Sequence, residues 1–181
     1  MIRILVVCTG NTCRSPMAAG LLARLAELRG VALAADSAGT LGWNERGASP
    51  GAVDVMAEVG VDLSAHRSRR VTAADITGAD LVLGMTREHV WGLRALAPGA
   101  AGRIFLPAEW VRTLKQQQVE RGAFSPEVVA GLVADRVAPA VPGRASDEVA
   151  DPAGHPHEVY RETRDRLWSL FETWADRSGV L

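Results

Sequence analysis

Residues 8–15 read Cys-Thr-Gly-Asn-Thr-Cys-Arg-Ser and follow directly on the apolar run at residues 2–7. The apolar run predicts a strand that is buried on both faces. Residues 16–28, behind the loop, predict a helix with proline in its first turn. A short glycine-containing loop between a strand and a helix N-terminus forms a ring of backbone N–H groups that suits a tetrahedral oxyanion. This stretch therefore predicts an α/β fold with an anion site beyond the first strand.

Cys8 and Arg14 are the chemically active side chains of this loop. A free cysteine titrates near ~8.5 and only its thiolate is a good nucleophile. We expect the helix end, the loop amides and the Ser15 hydroxyl to stabilise the anion at Cys8. The planar guanidinium of Arg14 can hold two phosphate oxygens in a fork, which lysine cannot do. Gly10 lets the backbone approach a ligand, so the loop predicts attack of a thiolate on phosphorus.

The rest of the chain alternates predicted strands and helices. We expect further strands at 31–37, 80–84 and 103–106, and helices at 50–59, 72–76, 86–96 and 158–176. Alternation of this kind favours a parallel sheet with helices on both faces. The predicted fold is therefore a three-layer α/β sandwich around a four-stranded parallel sheet.

The amino-acid composition favours some classes of protein and argues against others. Hydrophobic residues make up 48% and charged residues 23% of the 181 positions, which predicts one domain over 1–181. A formal net charge of −1 argues against nucleic-acid binding by bulk electrostatics. No apolar stretch is long enough for a membrane span or a signal peptide. With both cysteines in one loop we expect no disulfide framework and a cytoplasmic location. We also expect the protein to be a monomer or a weak dimer.

The string CTGNTCRSPMA at 8–18 resembles the C-x5-R-S/T loop of the low-molecular-weight protein-tyrosine phosphatase family. Further segments resemble that family in the same order: DSAGT at 36–40, GVDLS with the following His66 and Arg69, ADLVLGM at 79–85, and Asp151-Pro152. The resemblance covers about 1–107 and 148–178. It implies a phosphatase of phosphorylated proteins that works through a phosphocysteine intermediate, without a cofactor or a metal.

The resemblance also implies roles for individual residues. Asp151 is the expected general acid, stiffened by Pro152, with Asp147 and Glu148 as weaker rivals. His66 is expected to support the loop from outside. The residues expected to bind phosphate or substrate are Thr9, Gly10, Asn11, Thr12, Cys13, Ser15 and Trp43.

Three side chains near these positions leave alternatives open. Cys13 either protects Cys8 through a reversible disulfide, as the family uses such a pair, or simply packs in the core. His155 and His157 beside Asp151 could bind zinc, but no third or fourth ligand is evident, so no metal is expected.

Thr12 carries the expectation about substrate. Tyrosine-directed members of the family usually have a bulky aliphatic residue there, whereas the bacterial protein-arginine phosphatases share the loop CTGNTCRSPMA. A threonine hydroxyl can position a guanidinium or a water, so phosphoarginine is favoured and phosphotyrosine is the alternative. Two positions complicate this preference: Ala153 stands where both groups usually have an aromatic wall, and Trp43 lies where tyrosine phosphatases often place an aromatic residue.

Two other classes of function compete with a protein phosphatase. An arsenate reductase of the same fold needs further cysteines downstream, and none follows Cys13. A non-catalytic phosphoprotein-binding module would lack the thiol or the acid, and Cys8, Arg14 and Asp151 are all present.

Residues 108–147 depart from the family pattern and are expected to form a helical insertion. Two helical pieces are predicted within it, at 108–121 and 126–135. The segment is interpreted as a surface insertion near the rim of the active site, with a lid or substrate-docking element as the alternative.

Overall fold

The computed structural model describes residues 1–41, 43, 45–119, 125–134 and 136–176. Within them, four parallel strands form one sheet in the order β2-β1-β3-β4. The strands are β1 Ile2–Cys8, β2 Leu33–Gly39, β3 Leu81–Gly84 and β4 Ile104–Phe105. The four-stranded parallel α/β fold predicted from the sequence is thus confirmed.

Seven helices accompany the sheet in the described residues. They are α1 Arg14–Arg29, α2 Pro50–Ala57, α3 Ala73–Gly78, α4 Arg87–Leu96, α5 Pro107–Gln116, α6 Pro126–Ala134 and α7 His157–Asp176. Short 3₁₀ turns lie at Pro98–Arg103 and Ala145–Asp147. Thr72 and Thr86 cap α3 and α4 by accepting a bond from a backbone N–H of the first turn. The far ends of the two helical pieces predicted in 108–147, at 120–121 and 135, lie outside the described residues.

The central strand β1 explains why both faces of the sheet are covered. Its side chains alternate, so Ile4 and Val6 pack on the side of α1, α2, α5 and α7, while Leu5 and Val7 pack on the side of α3 and α4. Nearly every residue of β1 is buried, as the continuous apolar run predicted. The core therefore has two halves, and the carboxyl end of β1 lies between them.

The segment expected to be a surface insertion does not behave as one throughout. In α5, Trp110 is fully buried, with its ring centroid 5.1 Å from Phe105 and 5.6 Å from Trp174 of α7. The surface interpretation is therefore wrong for α5, because an indole completes the core beside β4.

The later helix α6 packs on the 3₁₀ turn that precedes β4, at the amino ends of the strands. That is the edge opposite the loop at 8–15, so neither a rim position nor a lid fits α6.

Candidate active site

The loop at 8–15 starts where β1 ends and closes where α1 begins. Cys8 is 2% exposed, and its Sγ lies 3.0 Å from Ser15 Oγ. Asn11 Nδ2 donates to Ser15 Oγ at 2.9 Å, so the Ser15 proton is left for Cys8 or for the carbonyl of Ala38, 3.3 Å away. The side chain of Cys13, the residue at the N-cap of α1, makes no capping hydrogen bond. The open helix end and the Ser15 hydroxyl both favour a negative charge on the sulfur.

Asn11 fixes the shape of the loop from within. Its φ of 55° is in the left-handed region, which asparagine tolerates better than most residues. Its amide also donates to Ser37 Oγ at 2.9 Å and accepts from the backbone N–H of Arg69 at 2.9 Å. His66 Nε2 donates to the carbonyl of Asn11 at 2.7 Å. One asparagine thus joins the loop to the end of β2 and to the segment at 66–69.

Two glycines let other groups come close to the loop. A Cβ on Gly39, the β2 partner of Cys8, would lie 2.6 Å from the carbonyl oxygen of Thr9. A Cβ on Gly10 would lie 2.7 Å from the ring of Trp43. The indole, 44% exposed, therefore lies directly on the loop. It also makes a cation–π contact with Arg46, whose guanidinium carbon lies 4.8 Å from a ring centroid. Trp43 thus packs against the glycine of the loop.

Arg14 is 5% exposed and faces the loop that carries the predicted acid. Its Nη2 donates to Asp151 Oδ2 at 2.6 Å, and its Nη1 donates to the carbonyl of Val149 at 3.3 Å. Its Nε is buried and has no hydrogen-bond partner among the described residues. A buried, unpaired N–H on a cation is costly unless it has an acceptor to bind. Arg14 can therefore offer Nε to an incoming oxyanion.

The stretch before Asp151 is anchored by ion pairs. Arg112 of α5 binds both carboxylate oxygens of Asp147 at 2.7 Å, and Arg87 of α4 binds Glu148 through Nε at 2.9 Å. Burial is the largest single influence and raises the pKa of Asp147, but the hydrogen bonds from Arg112 and from the Arg144 backbone N–H, with the charges of both arginines, together outweigh it and the pKa is lowered. The Arg87 hydrogen bond likewise lowers the pKa of Glu148. Both carboxylates hold the loop in place and are poorly suited to donating a proton at neutral pH.

The structure adds His89, which the sequence analysis did not single out. His89 Nε2 lies 2.9 Å from Thr9 Oγ1, and its Nδ1 lies 3.0 Å from the backbone N–H of Thr86. Burial, together with the positive charge of Arg14, lowers the pKa of His89 to about 4. The residue was detectable in the sequence as the third helical residue after the cap Thr86, where a polar side chain reaches back to the cap.

Cys13 and Thr12 lie on the side of the loop that faces α2 and α7. Cys13 Sγ donates to Ser49 Oγ at 3.1 Å and lies 3.9 Å from the Tyr160 hydroxyl. Cys8 and Cys13 are both free thiols. A Cβ on Gly10 would lie 3.5 Å from Thr12 Oγ1 and 2.7 Å from the Trp43 ring. The Thr12 hydroxyl and the indole therefore both lie beside Gly10.

The histidines after Asp151 are exposed, and His157 lies 3.5 Å from Asp54. Across the described ranges, no three His, Cys, Asp or Glu side chains come together to hold a metal ion. None of the described helices is both long enough and apolar enough to span a membrane.

Comparison with known proteins adds family evidence. A family model described as low molecular weight phosphotyrosine protein phosphatase matches residues 3–121, and so extends well past residue 108. A protein-arginine-phosphatase of Geobacillus stearothermophilus is 37% identical over 97% of this chain and 95% of its own length. The low molecular weight protein-tyrosine-phosphatase Etp of Escherichia coli K12 is 40% identical over 64% of this chain and 74% of its own length.

One similar solved structure is a YwlE arginine phosphatase in which serine replaces the active-site cysteine and is phosphorylated. It superimposes with a TM-score of 0.74 at 29% identity, covering 96% of this chain and 93% of that one.

Proposed function

Since the chain belongs to the low molecular weight phosphotyrosine protein phosphatase family, it is a cysteine-dependent phosphatase of phosphorylated proteins, and we propose that phosphoarginine is its preferred substrate. The observation that carries the preference is Thr12, whose hydroxyl lies beside Gly10 and Trp43. A hydroxyl oxygen can accept a hydrogen bond from a guanidinium, and a flat indole can stack on it.

In the first step, Cys8 attacks the phosphorus. The S–P bond forms as the P–N bond to the substrate guanidinium breaks, and Asp151 protonates the leaving nitrogen. Arg14 neutralises the equatorial phosphate oxygens through Nε and an Nη, while the amides at the start of α1 bind the others. The phosphate takes the place of Asp151 on Arg14, and the released carboxylate takes up a proton from solvent, which it then passes to the leaving nitrogen.

In the second step, a water attacks the phosphocysteine. Asp151, now a carboxylate, takes a proton from that water, the S–P bond breaks, and the Cys8 thiolate and inorganic phosphate are regenerated. The Ser15 hydroxyl, 3.0 Å from Sγ, stabilises the thiolate as the leaving group. The phosphorylated serine of the YwlE relative supports a phosphoenzyme at the corresponding position here.

The match to the Geobacillus arginine phosphatase over 97% of this chain also supports phosphoarginine. Phosphotyrosine is the second candidate, because Trp43 forms an aromatic wall over Gly10 and the Etp match reaches 40% identity. Cys13 is proposed to protect Cys8 by a reversible disulfide. The two free thiols agree with a reducing, cytoplasmic location.

A comparison of matched phosphoarginine and phosphotyrosine peptides tests the preference. We expect wild type to have the higher kcat/KM on phosphoarginine, and Thr12→Ile to shift the ratio towards phosphotyrosine. Thr12→Ser retains the hydroxyl and serves as the matched control, so its ratio stays near that of wild type. Equal or faster hydrolysis of phosphotyrosine by wild type would refute the proposal, and peptide without enzyme corrects for spontaneous loss of phosphate.

A further inference from the structure

We propose that His89 is a positioning residue of the phosphate-binding loop, acting through a hydrogen bond that its Nε2–H donates to Thr9 Oγ1. The inference rests on the phosphatase class alone and does not depend on which phosphorylated residue is preferred. It concerns Thr9, which directly follows the nucleophile and takes part in none of the Asn11 contacts described above.

The direction of the hydrogen bond follows from the neighbours of the ring. The backbone N–H of Thr86, 3.0 Å from Nδ1, can only donate, so Nδ1 accepts and carries no proton. A neutral imidazole then has its proton on Nε2, 2.9 Å from Thr9 Oγ1. The threonine oxygen must accept this bond, and its own proton points away from the ring. His89 therefore fixes both the place and the donor direction of the Thr9 hydroxyl.

The surroundings keep the ring neutral. His89 is 5% exposed, and burial together with Arg14 of α1 lowers its pKa to about 4. The carboxylates of Asp151 and Glu148 act in the opposite direction but are outweighed. The hydrogen bond from Nε2–H to Thr9 is consequently maintained at pH values near neutral, and the uncharged His89 ring does not place a second positive charge beside Arg14.

Two anchors then hold the loop at its two halves. Asn11 ties the far half to β2 and to 66–69, as described above. Thr9 immediately follows Cys8, and its backbone carbonyl accepts from the N–H of Leu41 at 3.1 Å. The contact with His89 adds a side-chain restraint from α4 to that backbone bond. Removing it would loosen the loop amides next to the nucleophile and weaken their hold on phosphate oxygens.

A structural role for His89 in capping α4 is the competing explanation, because Thr86 and His89 form a capping box. Thr86→Ala is the matched control. It removes the hydroxyl, which caps α4 and also lies 2.9 Å from His89 Nδ1, but it retains the backbone N–H that keeps Nδ1 unprotonated, so Nε2–H can still donate to Thr9. We expect Thr86→Ala to lower Tm while leaving phosphate inhibition unchanged.

The test measures the inhibition constant of inorganic phosphate, with kcat and KM on an aryl phosphate, for wild type, His89→Ala, His89→Gln, Thr9→Val and the double variant. We expect His89→Ala to raise the phosphate inhibition constant about tenfold, as for the loss of one hydrogen bond. His89→Gln, whose amide can donate to Thr9, recovers part of this loss. In the Thr9→Val background, His89→Ala has no further effect.

Two results would overturn the inference: additive effects of His89→Ala and Thr9→Val, or equal weakening of phosphate inhibition by Thr86→Ala. If His89→Ala does not fold, Thr9→Val decides alone, since an unchanged phosphate inhibition constant in that variant also overturns it. The aryl phosphate reports on the loop whether or not phosphoarginine is preferred. Failure of this inference is thus distinguishable from failure of the proposed substrate.

Discussion

Asp151 Oδ2 lies 2.6 Å from Arg14 Nη2, so the proposed general acid and the phosphate-binding guanidinium form an ion pair across the site. The arginine is buried, whereas the aspartate side chain is 47% exposed. The carboxylate therefore competes with phosphate for the same cation. In the proposed mechanism the phosphate displaces the carboxylate, which leaves Asp151 next to the leaving group.

Replacing Asp151 by asparagine should separate these two effects. We expect Asp151→Asn to lower kcat by about 10²- to 10⁴-fold on substrates with poor leaving groups, since the proton donor is lost. Inorganic phosphate should bind more tightly, because an internal competitor for Arg14 has been removed. Steady-state rates over a series of leaving groups, with phosphate as inhibitor, measure both. An identical dependence of kcat/KM on the leaving group in both proteins would exclude Asp151 as the acid.

Arg14→Lys tests whether the fork of donors matters beyond the charge. Lysine keeps the charge but cannot bind two oxygens in a plane, so we expect kcat/KM to fall about 10²- to 10³-fold. Arg24→Lys is the control, because Arg24 is an exposed partner of Glu27 and should leave the rate unchanged. An Arg14→Lys enzyme with nearly full activity would contradict bidentate binding.

Gly10→Ala probes the contact with Trp43. The added methyl would lie 2.7 Å from the indole, so the ring must move and the site wall is displaced. We expect a higher KM for phosphopeptides, and Trp43→Ala in the same chain should relieve the clash. Gly99→Ala, where an added Cβ meets nothing within 4 Å, is the matched control. A Gly10→Ala variant with wild-type KM would show that the ring does not line the occupied site.

His89 also predicts how stability depends on pH. Burial and the charge of Arg14 lower its folded-state pKa to about 4, from the ordinary histidine value of ~6.5. Above pH 6.5 the ring is neutral in both states; as pH falls towards 4, the unfolded chain binds a proton that the folded chain excludes. The free energy of unfolding therefore decreases over this interval, by at most about 3 kcal/mol.

Urea unfolding of wild type and His89→Gln from pH 4 to 7 isolates that effect, since the carboxylates titrate in both proteins. The stability difference between the two should change with pH in favour of His89→Gln at low pH. A difference that stays constant over the interval would rule out a neutral, buried His89.

The catalytic loop and the alternation of strands and helices could be predicted because both are local. Cys8 and Arg14 lie six residues apart, and the run at 2–7 shows its burial by composition alone. His89, by contrast, contacts Thr9 across eighty positions, and such pairing depends on how α4 packs against the sheet. Nothing in the separate segments specifies that packing.

The surface interpretation of the segment at 108–147 is wrong at α5 for the same reason. Its polar residues suggested an exposed helix, but Trp110 is buried between Phe105 and Trp174, and Arg112 reaches Asp147. The contacts with Trp174 and Asp147 join positions far apart in the chain, so helical periodicity alone gave no sign of them. The family model, which continues to residue 121, agrees with the structure that α5 belongs to the common fold.

Gly39 is a position at which substitution would change the surroundings of Cys8. It is the β2 partner of Cys8, and a methyl group there would press on the Thr9 carbonyl from behind. A single-methyl substitution at this position would press on the loop backbone at Thr9 and Asn11, and so alter the ring of amides around the sulfur, while the other loop side chains keep their chemistry. The reactivity of Cys8 could thus be tuned from the neighbouring strand β2.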